Sequence, residues 1–279
     1  MMPEIKPKIG IIGVGMVGGA LNRYFGSVGV KTLLYDKFKH KGSPEEINKA
    51  EIIFVCVPTP YQKRADQGFD LSAVEEALNI IEDKKIVILK STVWPGTTEN
   101  FQKKYPRHKI LFNPEFLSEA TADKDMRQPD IQIVGYTKKS KLVAKRILEI
   151  LPHAPFSRLA PATEAEAVKY FHNVHGAVKV IFANQMFDLC HALKINYDIV
   201  KECAAASKHI KTDMYLNVWQ GKYRGYGGSC FPKDIRALIQ FGDKKGVDLT
   251  LLKTVEKINN QLMKIQKIND PEKLGRKRF

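Results

Sequence analysis

The first half of the chain alternates short apolar runs with longer stretches in which apolar residues recur every three or four positions. The runs are rich in β-branched residues, which is typical of buried parallel strands. They lie at Lys8–Ile12, Thr32–Tyr35, Ile52–Val57, Ile86–Leu89, Ile110–Phe112 and Ile131–Val134. The helical patterns between them include Met16–Phe25, Leu71–Ile81 and Lys138–Leu151. This alternation predicts an α/β fold with a Rossmann-like, doubly wound parallel sheet.

The pattern changes at the proline-bearing stretch Leu151–Pro161, after which no strand is predicted. A long helix is expected from Thr163, which has capping-box spacing to Glu166. Apolar residues then recur with a helical period at Ala167, Phe171, Val174, Val178, Ile181, Phe182, Met186 and Leu189. Shorter helices are predicted over Tyr197–Ala206, Lys233–Lys244 and Thr250–Ile265. We therefore predict a sheet domain over residues 1–160, an all-helical domain with one long helix over 161–270, and a loose basic tail over 271–279.

Length and charge fit a globular protein with two domains. The 279 residues include 45 lysines and arginines against 30 acidic residues, a net charge of +15. This excess indicates either a solvated lysine-rich surface or an anionic partner such as a phosphorylated cofactor or substrate. No nucleic-acid-binding signature accompanies it, so nucleic acid is not an expected partner.

The chain contains no apolar run near the roughly 20 residues that a membrane span needs, and its first residues lack the apolar core of a signal peptide. Four cysteines lie far apart, at positions 56, 190, 203 and 230. This spacing argues against a metal site and fits a reducing, cytoplasmic setting.

A glycine turn joins the first predicted strand to the first helix. Gly13, Gly15 and Gly18 form a G-x-G-x-x-G motif in which they allow a tight turn, close approach of a pyrophosphate, and helix–strand packing. The helix N-terminus then offers unpaired amides and a positive dipole end to phosphate groups. This context predicts a dinucleotide site.

Asp36 follows the second strand at the spacing of a residue that binds the ribose hydroxyls of NAD. Its negative charge favours NAD over NADP, although the neighbouring Lys37 and Lys39 oppose that preference. The alternative is that Asp36 simply ends the strand as a turn residue.

Cys230 lies in the segment Gly225–Asp234, just before a predicted helix whose first position suits Pro232. A helix N-terminus and the nearby Lys233 both favour a thiolate, and the glycines leave room for a substrate. Cys230 is therefore a candidate nucleophile. The other three cysteines are interpreted as small core or surface residues.

Two further segments carry polar residues in unusual places. Glu166, Lys169 and Asn173 share one face of the long helix, within an otherwise largely apolar pattern. Asn113–Ala120 follows a predicted strand, at the edge where open α/β sheets place their ligands. The alternatives are a solvated helix face and helix-capping charges.

In these motifs the chain resembles the UDP-glucose/GDP-mannose dehydrogenase family. The resemblance rests on the glycine turn and on five further segments, in family order: Val57–Pro60, Ser91–Thr98, Asn113–Ala120, Glu166–Asn173 and Gly225–Asp234. It implies an enzyme that oxidises a nucleotide sugar at C6, UDP-glucose to UDP-glucuronate, with two NAD and through a thiohemiacetal and a thioester on Cys230.

The resemblance also implies roles for individual residues. Lys169 and Asn173 would stabilise the oxyanion, Lys169 would assist the first deprotonation, and Glu115 would serve as a base in the thioester steps. Asp234 and Thr92 would position water. The implied cofactor contacts are Gly13, Gly15, Met16, Val17, Gly18, Asp36, Thr59, Thr92, Glu119 and Lys233.

The chain also departs from the family pattern. Family members usually continue into a third domain that binds the nucleotide half of the substrate, whereas this sequence stops at Phe279. Gln185 stands where the family often has glutamate, and His209 where it often has arginine. The resemblance further implies a homodimer formed through the long helix from Thr163.

Two other functions are compatible with the sequence. One is a non-catalytic NAD-binding relative, which would bind NAD but no nucleotide sugar. The other is a dehydrogenase of small β-hydroxyacids, which would remain active after Cys230→Ala.

Overall fold

A computed structural model describes residues 7–62, 69–210, 212, 214–220 and 222–274 of the chain. The chain divides into two compact units, the first running to Lys169 and the second continuing from Tyr170.

The first unit is built on a seven-stranded sheet with the order β2-β1-β3-β4-β5-β6-β7. The strands are β1 Ile9–Ile12, β2 Thr32–Tyr35, β3 Ile52–Val55, β4 Ile86–Leu89, β5 Lys109–Phe112, β6 Ile131–Tyr136 and β7 Phe156–Pro161. Strands β1 to β5 are all parallel, which confirms the predicted doubly wound sheet. Strand β6 pairs antiparallel with β5 and parallel with β7, so the sheet is mostly, not wholly, parallel.

Strand β7 lies within the stretch Leu151–Pro161, where the change of pattern was placed and for which no strand was predicted. Its sequence includes Ser157, Arg158 and Pro161, and its residues are exposed or half-buried because it forms an edge of the sheet. An edge strand needs no continuous apolar run and tolerates proline. The apolar pattern therefore does not reveal it.

Six helices cover the two faces of this sheet: α1 Met16–Ser27, α2 Pro44–Ile47, α3 Ser72–Asn79, α4 Thr97–Lys104, α5 Ala122–Arg127 and α6 Lys141–Ile150. Successive strand residues point to opposite faces, so one strand supplies two cores. In β3, Ile53 and Val55 pack in one core with residues of α3 and α4, while Ile52 and Phe54 pack in the other with α1 and α6. Both faces are thus buried, as the apolar runs predicted.

Helix α7 spans the 31 residues Ala162–Ala192. Because it begins at Ala162, Thr163 lies inside the helix, and the carboxylate of Glu166 binds the Gly96–Thr98 turn instead. The capping-box prediction is therefore wrong. Part of the predicted apolar face is also exposed: Ala167, Phe171, Phe182 and Leu189 face outward.

The second unit packs the part of α7 from Tyr170 onward against α8 Tyr197–Ala205, α9 Phe231–Lys244 and α10 Thr250–Ile265. Its core includes Val174, Ala177 and Ile181 of α7 with Ile235 of α9 and Val255 of α10. The helical character of this part is confirmed.

A small antiparallel hairpin, β8 Trp219–Gln220 with β9 Tyr223–Arg224, corrects the prediction that no strand follows the boundary. Two-residue strands are too short to give an alternating pattern in the sequence. The predicted loose tail starts with a short 3₁₀ helix over Pro271–Lys273, in which Pro271 is buried. The last five residues of the tail lie outside the described residues.

Within the described ranges, no helix has the length and apolar character that crossing a membrane requires. The same ranges contain no group of three or more histidine, cysteine and acidic side chains that could hold a metal ion.

Candidate active site

The glycine turn connects β1 to α1 with the geometry that a dinucleotide requires. Gly13 has a φ of +87°, and a Cβ at Gly18 would clash with the carbonyl oxygen of Gly13. Gly15 differs, because a Cβ added there would meet no atom within 4 Å. Gly15 also caps α1, whose first turn carries no acidic residue and no side-chain cap. The turn therefore leaves open space and free amide dipoles where a pyrophosphate binds.

Asp36 lies against this turn, since its Oδ2 accepts a hydrogen bond of 2.7 Å from the backbone N–H of Val14. Its Oδ1 accepts from the backbone amides of Phe38 and Lys39 at 3.1 and 3.0 Å. Asp36 is thus a turn residue, as the alternative interpretation held, and its carboxylate is bound to the backbone of the glycine turn. The two predicted contacts that follow Gly15, Met16 and Val17, are half-buried at the start of α1.

The loops after β3 and β4 are tied to each other. The hydroxyl of Thr59 donates to the carbonyl oxygen of Thr92 at 2.8 Å, and that of Ser91 donates to the carbonyl oxygen of Val57 at 2.6 Å. Both loops follow the carboxyl ends of parallel strands, where ligands bind in open α/β sheets. Thr92 is half-buried and Thr59 is buried. Glu119, another predicted contact, is exposed in the loop that precedes α5.

Glu166 of α7 caps the N-terminus of α4. Its Oε2 accepts from the backbone N–H of Gly96 at 2.6 Å, and its Oε1 accepts from the N–H and the hydroxyl of Thr98 at 2.8 and 2.6 Å. Helix α4 has no cap from its own N-cap residue, Gly96, so Glu166 satisfies end amides that would otherwise lack a partner. Burial raises the pKa of the Glu166 carboxyl to about 7, although the hydrogen bonds from Thr98 and Gly96 oppose that rise. Glu166 thereby fixes the turn that follows Thr92.

Lys169, one turn further along α7, forms a buried ion pair with Glu115. Its Nζ lies 2.8 Å from Glu115 Oε1 and donates to the Glu115 carbonyl oxygen at 2.5 Å. Burial pushes the pKa of Glu115 upward, but the Lys169 charge and hydrogen bond, with the backbone N–H of Leu117, outweigh it and lower the pKa below its usual value. The carboxylate is therefore ionised near neutral pH.

In the second unit, Cys230 is the N-cap residue of α9. Helix α9 begins at Phe231, so Pro232 occupies its second position, one place later than predicted. Cys230 is half-buried, and its sulfur lies 3.7 Å from the hydroxyl oxygen of Ser229. Gly225 and Gly228, which precede it, have φ values of +91° and +81° that side-chain-bearing residues rarely adopt. Cys230 thus lies at a positive helix end, next to a glycine-rich loop.

Asp234, in the first turn of α9, is fully buried and binds two neighbours. Its Oδ2 accepts from the side-chain amide of Asn173 at 2.6 Å, and its Oδ1 accepts from the ammonium group of Lys233. Lys233, the cation predicted to support a Cys230 thiolate, is therefore engaged with Asp234. The Asn173 amide is held in a fixed orientation on α7.

Sequence reasoning missed a buried cluster in the first unit formed by Lys90, Asn113 and Gln132. The available signal was a charged residue, Lys90, directly after the apolar run of β4. It also paired Glu166 with Thr163 and not with the Gly96–Thr98 turn, since that contact joins segments about 70 residues apart in the chain.

A glycine turn, an open helix N-terminus and an adjacent carboxylate at the carboxyl ends of parallel strands define a dinucleotide-binding domain of the Rossmann type. The residues fit the dinucleotide, because Gly15 leaves the space that a pyrophosphate would fill.

Comparison with known sequences identifies the family. Residues 36–152 match the NAD binding domain of the UDP-glucose/GDP-mannose dehydrogenase family, and residues 163–261 match its central domain. The chain belongs to this family, and NAD is the cofactor of its first domain. The resemblance inferred from the motifs is confirmed.

Two relatives illustrate the similarity. The chain is 34% identical to a UDP-glucose 6-dehydrogenase of Pseudomonas aeruginosa, over 77% of this chain and 49% of the relative. It is 32% identical to a GDP-mannose 6-dehydrogenase of Pseudomonas syringae pv. tomato, over 77% of this chain and 52% of the relative. The chain thus spans about half the length of these curated relatives.

Among solved structures, a UDP-glucose dehydrogenase of Pyrobaculum islandicum superposes with a TM-score of 0.80 at 27% identity, covering 94% of this chain and 70% of that one. A UDP-D-ManNAc dehydrogenase of Pyrococcus horikoshii superposes with a TM-score of 0.78 at 22% identity, over 93% and 70% of the two chains. The second likeness shows the fold alone.

Proposed function

We propose that this chain oxidises a nucleotide sugar at C6, converting UDP-glucose to UDP-glucuronate with two NAD and with Cys230 as the nucleophile. The observation that carries the proposal is the buried hydrogen bond from Asn173 to Asp234. It fixes an amide donor of α7 to the first turn of the helix that Cys230 heads. A cysteine that only packed in the core would not need such a polar cluster. Here a buried carboxylate in the first turn of the helix that Cys230 caps binds an amide and an ammonium group.

The chemistry requires two oxidations of one carbon. NAD supplies the hydride acceptor for each, one molecule for each oxidation. In the first, Lys169 in its neutral form accepts the proton of the C6 hydroxyl as hydride leaves C6, which gives an aldehyde. The Cys230 thiolate then forms a bond to C6, and the carbonyl electrons move to the oxygen. The amide of Asn173 and the ammonium of Lys169 donate hydrogen bonds to that oxyanion.

The second oxidation removes hydride from the thiohemiacetal and leaves a thioester on Cys230. Water then attacks the thioester carbon while Glu115, ionised through its pairing with Lys169, accepts a proton from it. Thr92 and Asp234 orient the water, and the thiolate of Cys230 leaves. The overall balance is one alcohol, one water and two NAD⁺ converted to one carboxylate, two NADH and three protons.

We propose the same cofactor contacts that the sequence analysis predicts. Gly13, Gly15, Met16, Val17 and Gly18 would face the pyrophosphate, and Asp36 would bind the ribose. Thr59, Thr92, Glu119 and Lys233 would complete the contacts to NAD.

We also propose that α7 forms the interface of a homodimer. Phe171, Phe182 and Leu189 are 78%, 57% and 51% exposed. At 3.6 residues per turn their directions differ by about 20° around the helix axis, so they form one apolar stripe. A second copy of the same helix is self-complementary to such a stripe.

The test of the function is the stoichiometry of the reaction. The protein is incubated with NAD and either UDP-glucose or GDP-mannose, and NADH and sugar carboxylate are both quantified. Two NADH for each carboxylate from UDP-glucose is the expected result. Absence of turnover of either sugar by folded, NAD-saturated protein would instead support the non-catalytic alternative. Undiminished turnover by Cys230→Ala would support the small-substrate dehydrogenase.

A further inference from the structure

Lys90 is a buried lysine at the carboxyl end of β4, with 5% of its surface exposed. Its Nζ donates to the side-chain oxygen of Asn113 at 2.6 Å and lies 3.4 Å from the Asn113 carbonyl oxygen. Both of these acceptors are neutral. Because a buried ammonium group usually needs a charged partner or several acceptors, this arrangement is costly, and the catalytic scheme above assigns it no role.

Asn113 is held rigidly behind Lys90. Its side-chain nitrogen donates to Gln132 Oε1 at 2.8 Å and to the carbonyl oxygen of Ile133 at 2.7 Å. The side-chain oxygen of Asn113 is therefore the atom turned toward Lys90. This network fixes the start of the short segment Asn113–Glu115 that carries the carboxylate partner of Lys169.

Three ionisable groups, from three different parts of the first unit, interact electrostatically with Lys90. Cys56 follows β3, Glu115 follows β5, and Lys169 belongs to α7. Burial lowers the pKa of Lys90 to about 8; Cys56 and Glu115 oppose that change, and the Lys169 charge adds to it. Burial also raises the pKa of Cys56 to about 12, so its thiol carries no charge near neutral pH. The ammonium groups of Lys90 and Lys169 thus both interact with the carboxylate of Glu115.

We propose that Lys90 is a positioning residue for the Lys169–Glu115 pair, which it fixes through Asn113 and to which it adds a second positive charge. A like charge near Lys169 makes its ammonium group easier to deprotonate. The pair and Lys90 release protons as a coupled set, not as independent groups. Lys90 thereby prepares Lys169 to accept the proton of the sugar hydroxyl.

The inference rests on the proposed function, but its test includes a measurement that needs no turnover. Lysine labelled with ¹³C at Cε reports the deprotonation midpoint of Lys169 by NMR, with the signal assigned through Lys169→Met. The proteins are the wild type, Lys90→Gln, which keeps a donor for Asn113, and Lys90→Met, which does not. Lys85→Met is the matched control, because Lys85 is a mostly buried lysine just before β4, at its opposite end, and binds the carbonyl oxygen of Asn48.

We expect the Lys169 midpoint to rise by about one pH unit in both Lys90 variants, from the loss of one nearby charge, and to stay unchanged in Lys85→Met. If the enzyme turns over, the acidic limb of its rate–pH profile moves by the same amount. Lys90→Met should lose more rate than Lys90→Gln, since it also releases Asn113. An unchanged midpoint in folded Lys90→Gln would overturn the proposal. Absence of turnover with a shifted midpoint would overturn only the proposed function.

Discussion

The side-chain amide of Asn173 donates a 2.6 Å hydrogen bond to the fully buried carboxylate of Asp234. Asn173 lies on the long helix and Asp234 in the first turn of the helix that Cys230 caps. Lys233 pairs with the other carboxylate oxygen. One buried carboxylate, four residues after Cys230 in the chain, therefore orients an amide and a cation. Its loss should affect both stability and any chemistry at Cys230.

We expect Asp234→Asn to lose about 1–3 kcal/mol of unfolding free energy, because Asn173 and Lys233 then lose their charged acceptor. Any turnover should fall by at least ~100-fold, as the Asn173 amide is free to turn away from the oxyanion. Urea unfolding and initial rates measure the two effects. Asp243→Asn is the matched control, because Asp243 lies on the same helix and is half exposed, paired with Lys253. Equal effects of the two substitutions would contradict this role of Asp234.

Gly15→Ala should abolish NAD binding without unfolding the protein. A methyl group there meets no protein atom, but it occupies the space through which a pyrophosphate approaches the backbone. Calorimetric titration with NAD and a thermal melt measure the two properties. Gly26→Ala, in the helix that Gly15 caps and equally free of contacts, should retain binding. Unimpaired NAD affinity in Gly15→Ala would show that the dinucleotide binds elsewhere.

The free energy of unfolding should depend on pH through Glu166. Its folded pKa of about 7 lies above the ordinary value of 4.5, so the folded state binds the proton more tightly. The stability that Glu166 contributes is therefore complete below about pH 4.5 and is lost as pH rises through 7, by on the order of 3 kcal/mol.

Urea unfolding of the wild type and of Glu166→Gln, at pH values about one unit apart from pH 4 to pH 8, measures how the free energy of unfolding of each protein depends on pH. The stability advantage of the wild type over the variant should shrink as pH rises. Glu164→Gln, at an exposed position of the same helix turn, should follow the wild type at every pH. Parallel curves for wild type and Glu166→Gln would exclude a raised Glu166 pKa.

Phe182→Glu should convert the proposed homodimer to a monomer, since it places a charge in the centre of the apolar stripe on α7. Sedimentation equilibrium at micromolar protein concentration distinguishes the two states. Leu142→Glu, at a 94% exposed position of α6, should leave the dimer intact. A wild-type protein that sediments as a monomer would refute the interface.

The strands that carry the cofactor turn were predictable because both faces of β1, β3 and β4 are buried, which leaves unbroken apolar runs. Strand β7 was not predictable, because an edge strand with a solvated face has no unbroken apolar run. Helix α7 was predicted, but its apolar pattern pointed partly to the exposed stripe at Phe171 and Phe182. A sequence pattern marks apolar positions and does not distinguish the core from an uncovered surface.

In the candidate site, contacts within one motif were predictable and contacts between distant segments were not. Residues within one motif, such as Cys230 and Asp234, were predictable because helix spacing brings them together. The pairing of Lys169 with Glu115 and of Glu166 with Gly96 joins segments 54 and 70 residues apart, and local spacing carries no information about such contacts. Lys90 was overlooked because an isolated lysine after a strand usually faces solvent.

The central claim is that Cys230 bonds covalently to the oxidised sugar carbon. The most direct measurement is the intact mass of the protein after incubation with UDP-glucose and NAD and rapid acid quenching, with NADH absorbance recorded in parallel. The account predicts a sugar-nucleotide adduct on Cys230 that forms in the wild type and in Cys203→Ala, whose cysteine is exposed, and is absent in Cys230→Ala. Formation of UDP-glucuronate at an undiminished rate by Cys230→Ala would contradict it.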